Sequence, residues 1–145
     1  ERGEFVNTTS MAAMNGGLGF SPYVARKFAV VGMCEGLATQ LRPFGIGVSV
    51  LCPGFVRTRI DQSGRNRLER YGTTQVPDPG SPMGLLLAHI SGLVQSGLDP
   101  SEVAARVLNA IREDELYVFT HPEMRGEVEQ RFDAIMAAMG KAAAR

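Results

Sequence analysis

The sequence lacks paired metal ligands, a disulfide framework, a surplus of either charge and any long apolar run. Cys34 and Cys52 lie in apolar surroundings without the close pairing that zinc sites and redox motifs use, so both are expected as buried free thiols. His89 and His121 each stand without a second His, Cys or acid at ligand spacing, which argues against a metal site. His121, just before Pro122, is expected as a helix cap instead. Lys plus Arg number 15 and Asp plus Glu number 15, so no net charge draws the chain to nucleic acid or to a membrane surface. No apolar stretch approaches the length of a membrane span. A soluble, cytoplasmic protein is the expectation, and 145 residues suit one domain that buries its core without staples.

What is present alternates between strand and helix patterns. Glu4 to Thr8 reads as a strand whose alternation suggests burial, followed by a loop with Asn15, Gly16, Gly17 and Gly19. Ser21 can cap a helix and Pro22 fits its first turn; no further breaker occurs until Pro43 and Gly45. Ile46 to Cys52 is an almost unbroken apolar run, the pattern of a strand covered on both faces in a parallel sheet. Strand, helix, strand in that order implies a right-handed crossover. Residues 59–98 form a variable region rich in Pro, Gly, Ser, Asp and Arg, within which Met83 to Val94 reads as an apolar helix. Asp99, Pro100 and Glu102 then supply a cap, a first-turn proline and a third-position glutamate to a helix with Val103, Val107, Leu108 and Ile111 on one face. Leu116 to Phe119 reads as a strand, and Pro122 opens a helix with Met124, Val128, Phe132, Ile135 and Met139 at helical spacing; residues 141–145 are expected to fray.

The chemistry concentrates in three places. Tyr23 and Lys27 lie one helical turn apart, so their side chains share a face and can touch one ligand. A phenol is a poor acid or base at neutral pH, but a nearby cation favours its charged form and suits it to proton exchange. Ser10 follows the first strand, and Pro53-Gly54 follow the second, at the carboxyl edge where open α/β sheets bind ligands. Taken singly these residues have plainer readings: a snorkelling pair, a turn serine, a turn dipeptide. The run Arg57, Arg59, Arg65, Arg67 and Arg70, interrupted by Asp61 and Glu69, is read as a solvated loop.

Taken together, Val6-Asn7-Thr8-Thr9-Ser10, Tyr23-Val24-Ala25-Arg26-Lys27 and Pro53-Gly54-Phe55-Val56-Arg57-Thr58 resemble successive motifs of the short-chain dehydrogenase/reductase family. The likeness is closest from Phe5 to Ile60 and only architectural from Asp99 onward. It implies the C-terminal half of a Rossmann-type, doubly wound parallel sheet of three α/β/α layers, containing the catalytic part of a single domain. It also implies hydride transfer between NAD or NADP and a secondary alcohol or ketone. Tyr23 would be the general acid or base, Lys27 would tune it and hold the nicotinamide ribose, and Ser10 would hydrogen-bond the substrate oxygen. Pro53, Gly54, Val56 and Thr58 would line the nicotinamide. The partner would be a small alcohol or carbonyl compound, hydrophobic to suit the apolar stretch Met83 to Val94, reached under a lid within 59–98, with no nucleic acid and no membrane involved. A homo-oligomer, dimer or tetramer, is implied as well, and the helix from Tyr23, apolar nearly all round with Ala29, Gly32 and Gly36, offers a face for it.

The sequence also departs from that family. No glycine-rich strand-to-helix turn of the dinucleotide-binding kind occurs in these residues, since Asn15-Gly16-Gly17 follows the wrong element, and Arg26 stands where a small residue is usual. Glu1 is not an initiator Met, so the sequence reads as a piece of a longer enzyme. The alternative is a truncated, catalytically silent domain whose surface binds a partner.

Overall fold

The apolar run after Ile46 becomes the centre of the sheet. In the computed structural model, which describes residues 3–16, 20–72 and 76–143, Gly47–Cys52 form strand β2 and all six of its residues are buried. It pairs in parallel with β1 (Glu4–Thr8) on one edge and β3 (Tyr117–Phe119) on the other, giving the order β1-β2-β3. The register sets Thr8 beside Leu51 and Leu51 beside Val118. The parallel sheet is the one that the strand and helix patterns imply, and its architecture is the partial Rossmann-type α/β arrangement that the resemblance implies.

The chain divides into two compact units, one comprising Glu1–Gly54 with Ala105–Arg145 and the other Phe55–Ala104. In the first, Val48, Val50 and Cys52 of β2 pack with Met11, Ala13 and Met14, around the short helix α1 (Ala12–Asn15), and with Val31 and Cys34 of α2 (Ser21–Leu41). Each valine or methionine among them contributes roughly 1.5–3 kcal/mol when fully buried. Cys34 and Cys52 are free, buried thiols as expected, and burial pushes Cys52 up to about 12. Ser49 is the polar exception inside β2; its hydroxyl lies 2.8 Å from the Glu115 carbonyl and 3.1 Å from a Glu4 carboxylate oxygen, which satisfies it.

Three local expectations are corrected. Among the described residues β1 pairs on one side, with β2, and Phe5 and Val6 are 51% and 41% exposed rather than buried. Ser21 is the first residue of α2, not its cap, because the Phe20 carbonyl already accepts from the Tyr23 and Val24 N–H groups at 2.9 and 3.0 Å. At the other end, Arg42–Phe44 tighten into a 3₁₀ turn closed by Gly45 at φ 68°. Helix α5 (Arg125–Ala143) follows the 3₁₀ turn Pro122–Met124 and runs on through Ala143, so residues 141–143 are helical rather than frayed. Gly17, Gly19, Ala144 and Arg145 lie outside the described residues.

In the second unit, Val56 bridges Leu98 in parallel, with Arg57 N–H to the Leu98 carbonyl at 2.8 Å and Leu98 N–H to the Phe55 carbonyl at 3.0 Å. The blurred region contains two 3₁₀ segments, Ile60–Asn66 and Glu69–Tyr71, and helix α3 (Pro82–Gln95). Arginines hold the 3₁₀ segments: Arg65 donates to the Arg59 carbonyl at 2.6 Å, and Arg67 to the Tyr71 and Gly72 carbonyls. Asp61 accepts from Ser91 and Gln95 of α3. Ser81 caps α3 by accepting from the Gly84 N–H at 3.1 Å. Asp99 caps α4 (Pro100–Glu113) by accepting from the Ser101 N–H at 2.9 Å, and Arg57 pairs with its other oxygen. Among the described residues, no helix is long and apolar enough to cross a membrane.

Candidate active site

Parallel pairing puts the carboxyl ends of all three strands on one edge of the sheet. Backbone bonds continue there: Thr9 N–H donates to the Leu51 carbonyl at 2.7 Å, and Met11 N–H to the Pro53 carbonyl at 2.9 Å. Ser10 lies between those two bonds and is held beside the end of β2. Its Oγ accepts from the Ala12 N–H at 3.2 Å, a turn role that leaves the hydroxyl proton available to donate.

The start of α2 is tied to the end of β1 from both directions. Thr9 Oγ1, 2% exposed, donates to the Lys27 carbonyl at 2.9 Å, and Lys27 Nζ donates to the Thr8 carbonyl at 3.3 Å. The Lys27 ammonium also lies over the Tyr23 ring, 5.6 Å from its centroid. One of the three ammonium donors is thus used on the strand, and the cation stays against the phenol. Tyr23 and Lys27 are both partly exposed, as a pair that meets a ligand must be.

Pro53 and Gly54 join this group through Met11 and through the end of β3, where the Gly54 N–H faces Thr120 Oγ1 at 3.3 Å and His121 Nδ1 at 3.2 Å. His121 does precede a helical turn, but that turn has no side-chain cap; the ring turns to Gly54 instead. Sequence reasoning therefore missed His121 and Thr120 as neighbours of the site. The available signal was that a polar pair directly follows β3 on the edge where Ser10 and Pro53 also fall. Val56 and Thr58 belong to the second unit, where Val56 bridges Leu98 and Thr58 Oγ1 accepts from the Ile60 N–H at 3.4 Å. Among the described residues, no group of three or more His, Cys, Asp or Glu side chains is placed to hold a metal ion.

A cleft of about 600 Å³ lies at the opposite, amino ends of β2 and β3, lined by Glu35, Thr39, Arg42, Gly47, Asp114 and Leu116 among others. It touches none of the residues above. Ligands of open parallel sheets sit at the carboxyl ends, so the Ser10, Tyr23 and Lys27 edge is the stronger candidate.

Residues 1–69 match the family model described as short chain dehydrogenase. Among curated proteins, the chain is 30% identical over 134 residues to the C alpha-dehydrogenase of Sphingobium sp. (strain NBRC 103272 / SYK-6), covering 92% of this chain and 43% of that one. It is also 30% identical over 141 residues to the CLA biosynthesis dehydrogenase/reductase of Lactiplantibacillus plantarum, covering 92% and 48%. The chain thus spans less than half the length of these curated relatives. Among solved structures, it is similar to a short chain dehydrogenase/reductase from Burkholderia phymatum in complex with NAD, with a TM-score of 0.84, 33% identity, and coverage of 95% of this chain and 50% of that one.

Proposed function

This chain belongs to the short-chain dehydrogenase/reductase family, and from that premise we propose that it contributes the catalytic part of an oxidoreductase that moves a hydride between NAD or NADP and a secondary alcohol or ketone. The observation that carries the reading is the Tyr23 and Lys27 pair, laced to the strand end next to Ser10. The donor set fits a nicotinamide dinucleotide: an ammonium with donors to spare for a ribose diol, a phenol and a serine hydroxyl for a reacting oxygen, all at the edge where α/β sheets take such ligands. Tyr23, Lys27, Pro53, Gly54, Val56 and Thr58 would hold that cofactor, and these residues select neither NAD nor NADP. When bound, it supplies or accepts the hydride.

The chain's own part is proton handling and charge. Tyr23 gives its phenolic proton to the substrate oxygen in reduction and takes one in oxidation. Lys27, held over the ring, stabilises negative charge that develops on that phenol. Ser10 donates to the substrate oxygen while its own oxygen remains anchored by the Ala12 N–H, so the donor is oriented before substrate arrives.

Two further features belong to this reading. Met83, Leu85, Leu86 and Leu87 on α3 are 40–61% exposed, which supports an apolar substrate approached by the 59–98 region. The outer face of α2 exposes Ala25, Ala29, Gly32 and Gly36, small residues that let a helix of a second copy approach closely, in keeping with a homodimer or homotetramer. The direct test is hydride transfer by the intact protein with both cofactors across an alcohol and ketone panel. Tyr23→Phe should lower turnover by about 10²–10⁴-fold with little change in thermal stability; undiminished turnover in that variant would remove Tyr23 from the reaction.

A further inference from the structure

Gly54 opens the loop that the proposed function sets against the nicotinamide, and its surroundings are defined by another residue. The His121 ring lies flat enough on its α-carbon that a Cβ at position 54 would sit 2.7 Å from ring Cγ, 2.8 Å from Nδ1 and 2.9 Å from Cδ2. Those separations are too short for any side chain, so glycine here is required by the imidazole and not only by a ligand. The Gly54 N–H points at Thr120 Oγ1 and His121 Nδ1, and those two atoms are themselves 2.6 Å apart. Thr120 is 2% exposed, so its hydroxyl is a fixed, water-excluded member of the triangle. With the ring proton on Nε2, Nδ1 accepts from the Gly54 N–H; with it on Nδ1, the ring donates to Thr120 Oγ1, which itself accepts from Gly54, so in either tautomer the peptide N–H keeps a side-chain acceptor. On its other side the Pro53 carbonyl is taken by the Met11 N–H. The dipeptide 53–54 is therefore clamped between the continuations of β1 and β3.

We propose that Thr120 and His121 are positioning residues of the cofactor loop: acting through the Gly54 peptide, they hold Pro53-Gly54 at the height where the nicotinamide must lie to face Tyr23. This rests on the oxidoreductase reading above. A half-buried peptide N–H aimed at two side-chain acceptors has one preferred place, and a misplacement of about 1 Å is enough to misalign hydride transfer. Neither residue touches the substrate oxygen in this scheme; each acts on where the loop stands.

The test uses the intact protein with three variants: His121→Ala removes the acceptor, His121→Asn returns an acceptor oxygen near the Nδ1 position, and Thr120→Val keeps the shape without the hydroxyl. Amide hydrogen exchange at Gly54 is measured against that of Val50, whose N–H bonds to the Leu116 carbonyl and reports the sheet itself. Affinity for NADH and NADPH is measured by fluorescence titration. His121→Ala should speed Gly54 exchange and weaken cofactor binding, each by roughly tenfold, while Val50 exchange stays put, and His121→Asn should recover most of both. Gly54 exchange that ignores His121→Ala, or a loss shared equally by Val50 and not rescued by asparagine, would overturn the clamp. Cofactor affinity indifferent to every variant would overturn the positioning role alone. A parent protein that binds neither cofactor would overturn the oxidoreductase reading and this role with it.

Discussion

The two compact units differ in how far a buried core organises them. In the sheet unit a core forms around β2, where Val50, Cys34 and Cys52 are fully buried and Met11 is 3% exposed, although Phe5, Phe44, Phe132 and Met139 of the same unit are 51–76% exposed. In the Phe55–Ala104 unit, Ile60, Leu68, Tyr71, Met83 and Leu85 remain 46–61% exposed, and the structure is held by arginines on carbonyls, a serine cap and the Asp61 bonds to α3. The first unit is organised by burial, which is non-directional and cumulative. The second is organised by directed polar bonds and by glycines at tight contacts, and although Val94 and Val103 are buried there, many of its large apolar side chains stay exposed. The proposed function would use that difference, setting the chemistry on the first unit and an apolar surface for substrate on the second.

That contrast can be broken by substitution. Met11→Ala should have the largest effect, a loss of about 2–5 kcal/mol in urea unfolding, because its side chain is part of the β2 core. Gly97→Ala should cost about 1–3 kcal/mol and loosen the Val56–Leu98 bridge, since a methyl group there overlaps the Phe55 carbonyl; the exchange rate of the Leu98 amide reads it. Asp99 should give a smaller, pH-dependent effect. The Ser101 hydroxyl, then the Ser101 N–H and the Arg57 guanidinium, hold its carboxyl down from the usual 3.8 to about 2. The contribution is therefore complete above the ordinary carboxylate value and is lost as pH falls from there toward about 2, so protection of the Ser101 amide, its exchange rate relative to the intrinsic rate at each pH, should fall over that window in the parent and stay constant in Asp99→Asn. Leu85→Ala should change stability least, within about 0.5 kcal/mol, because the side chain is 61% exposed. A Leu85 loss as large as that of Met11 would show that α3 is covered in the working protein and would erase the contrast.

The same division explains what could be read from the residues alone. Ile46 to Cys52 announces a covered strand because continuous apolarity has few other homes, and Asp99-Pro100 announces the start of α4 because cap and first-turn proline act locally; both are seen. The Ser10, Tyr23, Lys27 and Pro53 edge was legible for a similar reason, since each residue directly follows a strand or opens a helix. The 3₁₀ segments were not, because Arg65 and Arg67 make them by reaching carbonyls several residues away, which no periodicity encodes. Burial of β1 was misjudged because alternation describes a face and not whether anything covers it. His121 was misjudged because its local context, the residue before a proline, is that of a cap, while its actual partner is 67 positions away.

Lys27 serves the strand end twice, accepting from Thr9 Oγ1 through its backbone carbonyl and donating to the Thr8 carbonyl through Nζ. A substitution that removes only the charge, such as Lys27→Met, cuts the second tether and leaves the first, so a loss of turnover in that variant reports the missing ammonium and not a detached helix.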